Sequence, residues 1–250
     1  MIITSILLGF ILILLGSSVM AQEEEDQENE MFRVDFVKPK INQVSAFEDA
    51  LIEHNNKFHK DFPVFIAFNV TGQYAGYYGA YMGPLTWTEW EARETTEAHD
   101  KHWLDVVLPL CDQIAETQFW RRLPRFETNP LEESSEKSIV TVLSVEQGEF
   151  PRFMRTLEEW HETNQKSKDF DGSYNVYTRW FDNPDQIAIV GNLEEGLAEF
   201  DEQRDFRNRY EEQHGKQNWD LWLDDSIISI SSINEVLRIH RYDLSTKLEE

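Results

Sequence analysis

An α+β fold, two tandem β-α-β-β-α-β units packed sheet to sheet into one intramolecular barrel, is what this 250-residue sequence predicts. Three observations point to it. Residues 64–81, VFIAFNVTGQYAGYYGAY, place two apolar-aromatic runs either side of Thr71-Gly72-Gln73, and read as a β-hairpin whose glycine supplies the turn. Helical patterns stand before and after it, and the same order recurs around residues 174–191. Finally, Phe65-Ile66-Ala67-Phe68 and Ile187-Ala188-Ile189-Val190 are apolar without alternation, as strands covered on both faces must be.

The elements follow in order. Residues 1–21 stand apart: an uncharged apolar run over 2–15 is broken by Gly16-Ser17-Ser18 and followed by Val19-Met20-Ala21, small residues suited to signal cleavage. The run is shorter than the ~20 residues of a membrane span. It reads as a signal peptide for export to the periplasm or the medium, or as an anchor where it is left uncut. Residues 22–30, QEEEDQENE, read as a disordered acidic spacer.

In residues 31–38, Phe32, Val34 and Phe36 alternate with Arg33 and Asp35, which makes a strand that Pro39 ends. Val44, Phe47, Leu51, His54 and Phe58 then share a helical stripe. After the hairpin, Gly83-Pro84 closes the turn and Thr86 or Thr88 caps a helix reaching to about Ile114. Its face carries Ala92, His99, Trp103, Val106 and Leu110, and Pro109 should kink or end it. Residues 118–126 close the first unit, 31–130, as a strand. The polar run NPLEESSEK contains the linker, 131–137.

The second unit, 138–245, repeats the pattern. A strand at 139–145 precedes a helix at 150–165 with Phe153, Leu157, Trp160 and His161 on its stripe. A hairpin joins 174–181 to 186–191 across Asp182-Asn183-Pro184-Asp185. A long acidic helix, 197–223, is interrupted at Gly215, and a strand at 235–242 leads to a tail at 246–250. Short matches support duplication. Lys60-Asp61-Phe62 and Lys168-Asp169-Phe170 lie 108 positions apart, and His54 and His161 lie 107 apart in the corresponding helices.

A β-α-β-β-α-β unit is the ferredoxin-like arrangement, with both helices on one face of a four-stranded sheet. The other face is bare, and two units in one chain can cover each other's. On this element order and burial pattern, residues 31–245 resemble the dimeric α+β barrel superfamily in a tandem version. That superfamily includes antibiotic-biosynthesis-type and haem-degrading monooxygenases and chlorite dismutases. The resemblance implies ligands in the cleft between helices and sheet. Fusion of the two units implies a monomer.

Charge and composition narrow the partners. A formal net charge of −24 repels phosphate backbones and anionic lipid, so neither nucleic acid nor membrane is an expected partner once the signal is removed. The single cysteine, Cys111, allows no internal disulfide and sits in an apolar context that suits packing.

His54, His99 and His161 fall on apolar helix faces, where an imidazole can serve as base, ligand or hydrogen-bond partner. Tyr77, Tyr81 and Trp90 belong to an aromatic cluster around the first hairpin, with Ala75, Gly76, Gly79 and Ala80 leaving room for a flat organic ligand. Arg179, in the second hairpin, can pair with a carboxylate of the protein or of a ligand. The spacing of His99 and His102 offers a metal only two ligands, and no HExxH or cysteine pair is present, so no metal is expected. No nucleophile elbow, phosphate loop or dinucleotide fingerprint appears either.

The sequence therefore leads to an exported, soluble protein that binds a small organic ligand without clear catalytic machinery or cofactor. One alternative is a monooxygenase-like or haem-binding enzyme using His54 or His99 as base or axial ligand. The other is a surface or complex-assembly protein working through its acidic face.

Overall fold

Strand β1 (Met31–Pro39) runs through the middle of the first unit. Val34 and Phe36 turn to one side of the sheet, and Val37 turns to the other. The computed structural model describes residues 30–129, 135–181, 183–201 and 205–247; the expected signal peptide, nearly all of the acidic spacer and most of the linker lie outside them. Helix α1 (Val44–Phe58) buries Phe47, Ala50 and Leu51 against the outer face of the sheet.

The hairpin of β2 (Val64–Asn69) and β3 (Tyr78–Leu85) forms as the sequence implies. Gly72 in its connection has φ +82°, and a Cβ there would lie 2.6 Å from Cγ2 of Val236, so backbone and packing both demand glycine.

The long helix expected through Ile114 is instead four short pieces. Helix α2 (Trp87–Ala92) starts at Thr86, whose hydroxyl and backbone form a reciprocal capping box with Glu89. Helix α3 (Glu97–His102) is capped by Thr96. A π-helical turn over Trp103–Val107 and a 3₁₀ turn over Leu108–Leu110 follow, and β4 (Cys111–Arg122) begins two residues after Pro109. The wider π turn moves the buried position from Val106, 38% exposed, to Val107, fully buried. Cys111 opens the strand half-buried, its thiol pushed up to about 11 by burial, which keeps it protonated.

The second unit comprises β5 (Lys137–Val145), α4 (Phe150–Lys166), β6 (Tyr174–Trp180) and β7 (Gln186–Leu193), then α5 (Phe206–His214), α6 (Trp219–Ser229) and β8 (Ile230–His240). The expected acidic helix does break at Gly215, which has φ +87°.

Strand order is β4-β1-β3-β2 in the first unit and β8-β5-β7-β6 in the second, each a split β-α-β arrangement with antiparallel neighbours. The units join edge to edge, β2 to β8 and β4 to β6, so the two bare faces curve round into one closed eight-stranded barrel. Closure removes every sheet edge. Val34, Phe36, Tyr81, Trp120, Tyr177 and Ala188 fill the interior, while α1 and α4 cover separate outer cores.

Beyond β8 the chain returns to the first unit. Thr246 N–H donates to the Val64 carbonyl (2.9 Å), Ile66 N–H donates to Ser245 Oγ (2.9 Å), and Leu244 is 1% exposed. The segment expected as a tail thus begins with buried, hydrogen-bonded residues. Among the described residues no helix is long and apolar enough to cross a membrane.

Candidate functional site: a four-histidine cluster

The end of α1 and the short α3 bring four histidines together. His54 lies in the last turns of α1 and His59 is its C-terminal cap, where the backbone has left the helix. Capping by Thr96 starts α3 so that His99 and His102 face them. Ring centroids are 4.9 Å apart for His54–His99, 5.2 Å for His54–His59, 5.2 Å for His59–His99 and 5.3 Å for His54–His102. One ring nitrogen from each of His54, His59 and His99 lies within 4.8 Å of the other two. His54 and His59 are buried, whereas His99 and His102 are half-buried.

The hydrogen bonds set the tautomers. His102 Nε2 faces Glu53 Oε1 at 3.3 Å, so its proton sits there and its Nδ1 accepts from His54 Nδ1 at 3.2 Å. His99 Nδ1 donates to Asp100 Oδ1 at 2.9 Å. His59 bonds to the backbone of Phe62, and its buried Nδ1 has no partner among the described residues. Lone pairs are therefore left on Nε2 of His54, Nε2 of His99 and Nδ1 of His59.

Burial first, then the neighbouring imidazoles and Arg93, lowers His54 to about 3. Burial and Arg93 lower His59 to about 4. Both are neutral at pH 7. Arg93 is half-buried, its own pKa lowered by burial and by Arg33. Its guanidinium lies 5.3 Å from the Trp90 ring centroid and has no ion-pair partner among the described residues. Arg33 also lies on Trp90, at 5.2 Å, but is paired with Asp35.

The other expected site residues go elsewhere. Tyr77 and Tyr81 pack at the barrel interior, where Arg238 lies 5.0 Å from the Tyr81 ring. Arg179, 6% exposed, pairs with Glu116 at 3.1 Å and donates to Gln186 at 2.8 Å, the protein-carboxylate outcome. His161 occupies the position in α4 that corresponds to His54. Its Nδ1 meets the Tyr174 hydroxyl at 3.0 Å, and burial lowers its pKa. The cluster thus unites His54 and His99, with Trp90 beside Arg93, and leaves His161, Tyr77, Tyr81 and Arg179 outside. Sequence reasoning did not single out His59, because a residue past the helix end belongs to no stripe. It set His102 aside because an ideal helix carries that side chain away from the shared face.

A haem on His54 or His99 would need an imidazole facing a flat slot. Instead His54 is ringed at 4.9–5.4 Å by Phe58, His59, His99, His102 and Trp103. Haem does not fit His54 as packed.

No protein-family model matches the chain, and no curated protein matches it. Solved structures do. A putative monooxygenase from Lactobacillus acidophilus is 10% identical, with TM-score 0.51, over 88% of this chain and 97% of that one. A putative monooxygenase from Fusobacterium nucleatum is 11% identical, with TM-score 0.51, over 84% and 91%. Chlorite dismutase from Candidatus Nitrospira defluvii is 8% identical, with TM-score 0.53, over 89% and 96%. These neighbours are enzymes by name. They overturn the expectation of a ligand binder without catalytic machinery. That expectation rested on the lack of a local motif, and a site assembled from separate elements leaves none. The element order, the split β-α-β strand order in both halves and the closed antiparallel barrel together give this chain the fold of the dimeric α+β barrel superfamily, with both units on one polypeptide.

Proposed function

We propose that this chain is a monooxygenase-like enzyme acting on a small acidic aromatic compound at the histidine cluster of the first unit. The observation that carries the reading is His59 Nδ1, buried and without a hydrogen-bond partner among the described residues, in a cluster with neutral His54 and beside Arg93. An unpaired buried polar atom costs about 1–3 kcal/mol, a cost a fold keeps where a ligand relieves it. Arg93 offers a phenolate or carboxylate its charge. An aromatic hydroquinone fits this chemistry and supplies its own electrons. With one dioxygen it gives a hydroxyquinone and one water, one oxygen atom entering the ring and the other leaving as water.

The test is naphthohydroquinone under isotopically heavy dioxygen, with oxygen uptake and product mass measured. One heavy oxygen per product is expected, and Arg93→Ala should lower kcat/KM about tenfold or more by leaving the anion unpaired. Uptake no faster than without protein would refute the reading.

A further inference from the structure

We propose that His54, His59 and His99 bind one first-row divalent metal ion, with His102 as a positioning residue behind His54. The site deepens the reading above, since it is the cluster at which that substrate is proposed to bind. Three features of the geometry carry it.

First, one ring nitrogen from each of the three histidines already lies within 4.8 Å of the other two. Metal–nitrogen bonds of about 2.1 Å in tetrahedral geometry set ligand atoms about 3.4 Å apart, so side-chain rotations of modest size close the site. Second, the outer partners hold the protons away from the centre. Asp100 takes the His99 proton, the His102–Glu53 pair takes that of His54, and the Phe62 backbone engages His59. Carboxylates and carbonyls behind ligating imidazoles fix ring orientation and tautomer in metal sites. Third, His59 Nδ1 is buried with no partner among the described residues, and a metal would satisfy it.

The donor set decides the kind of ion. Three neutral imidazoles suit zinc, copper, iron, cobalt or nickel, and no carboxylate among the three ligands favours calcium or magnesium. Three protein ligands leave a coordination position open. Arg93 repels a bare cation, so the open position would take an anion.

The full chain, stripped with EDTA, is titrated with Co²⁺ and followed by its visible d–d absorption. The expected result is one Co²⁺ per chain with bands of tetrahedral or five-coordinate intensity. His59→Ala and, at a more exposed position, His99→Gln should remove the bands while circular dichroism shows the fold retained. His102→Ala should keep the one-to-one stoichiometry and weaken binding about 10–100-fold, as loss of an outer partner does. Wild-type protein without bands overturns the site, as do bands that persist in folded His59→Ala and His99→Gln. Missing Co²⁺ bands with intact oxygen uptake on naphthohydroquinone overturn the metal and leave the oxygenase reading. Bands without any uptake support the metal and refute that reading.

Discussion

Ser138 is fully buried and receives Arg238 Nε–H at 2.8 Å, so its own hydroxyl proton is directed to His240 Nε2, 3.1 Å away. That arrangement holds only while His240 is neutral, and burial together with Arg238 lowers its pKa from 6.5 to about 4. The sign of the consequence follows. Unfolded His240 takes up a proton as pH falls through its ordinary value, and folded His240 does so only near 4. Its contribution to stability is whole above about 6.5 and is lost as pH falls toward 4, with His54 and His59 acting in the same direction. In EDTA, Tm should therefore drop between pH 7 and 5. His240→Gln should reduce the slope of unfolding free energy with pH by at most about 1.4 kcal/mol per pH unit, measured by urea titration at several pH values. An unchanged slope would remove His240 from the account.

The short segments between β3 and β4 show what a single inserted residue does to an element. Periodicity placed Val106 on the buried stripe, because it assumes a uniform 3.6 residues per turn. The π turn at Trp103–Val107 breaks that assumption, and Val107 is the residue in the core under α1. Val107→Ala should cost about 2 kcal/mol, the scale of losing buried methyl groups, and Val106→Ala should stay within about 0.5 kcal/mol. A larger cost at Val106 than at Val107 in chemical denaturation would mean the turn is an ordinary α-helix. The earlier break, between α2 and α3 with Thr96 as cap, aims His99 and His102 at α1. The stripe argument found His54 and His99 one at a time, and it had no means of placing His59, which follows the last helical residue. What was legible was what local periodicity can carry: the hairpin, the Thr86 cap, the break at Gly215 and most strands. What was not legible depended on irregular turns.

For the whole molecule, the two units hold each other through strand pairing and through the C-terminal segment. Arg241 reaches Glu48 on α1 at 2.6 Å and Asp243 at 2.7 Å, Asn55 donates to the Leu244 carbonyl at 2.8 Å, and Ser245 and Thr246 bond the backbone of β2. Ending the chain after Asp243 removes a buried leucine and several of these bonds. It should cost about 3 kcal/mol or more, seen as a lower urea midpoint with the transition still cooperative. A truncated chain as stable as the full one would show that the segment only rests on the surface.

The sequence by itself determined the repeat, the order of elements in each half and the doubly apolar strands. These are written in local periodicity and turn chemistry, which neighbouring residues enforce on one another. Only the tertiary structure decided that the two sheets close edge to edge, that Tyr77, Tyr81 and Arg179 turn into the barrel wall and interior, and that His54, His59, His99 and His102 meet. Those contacts join residues from elements that touch only after the barrel has closed, where packing and hydrogen bonding, not spacing along the chain, set which side chains face one another.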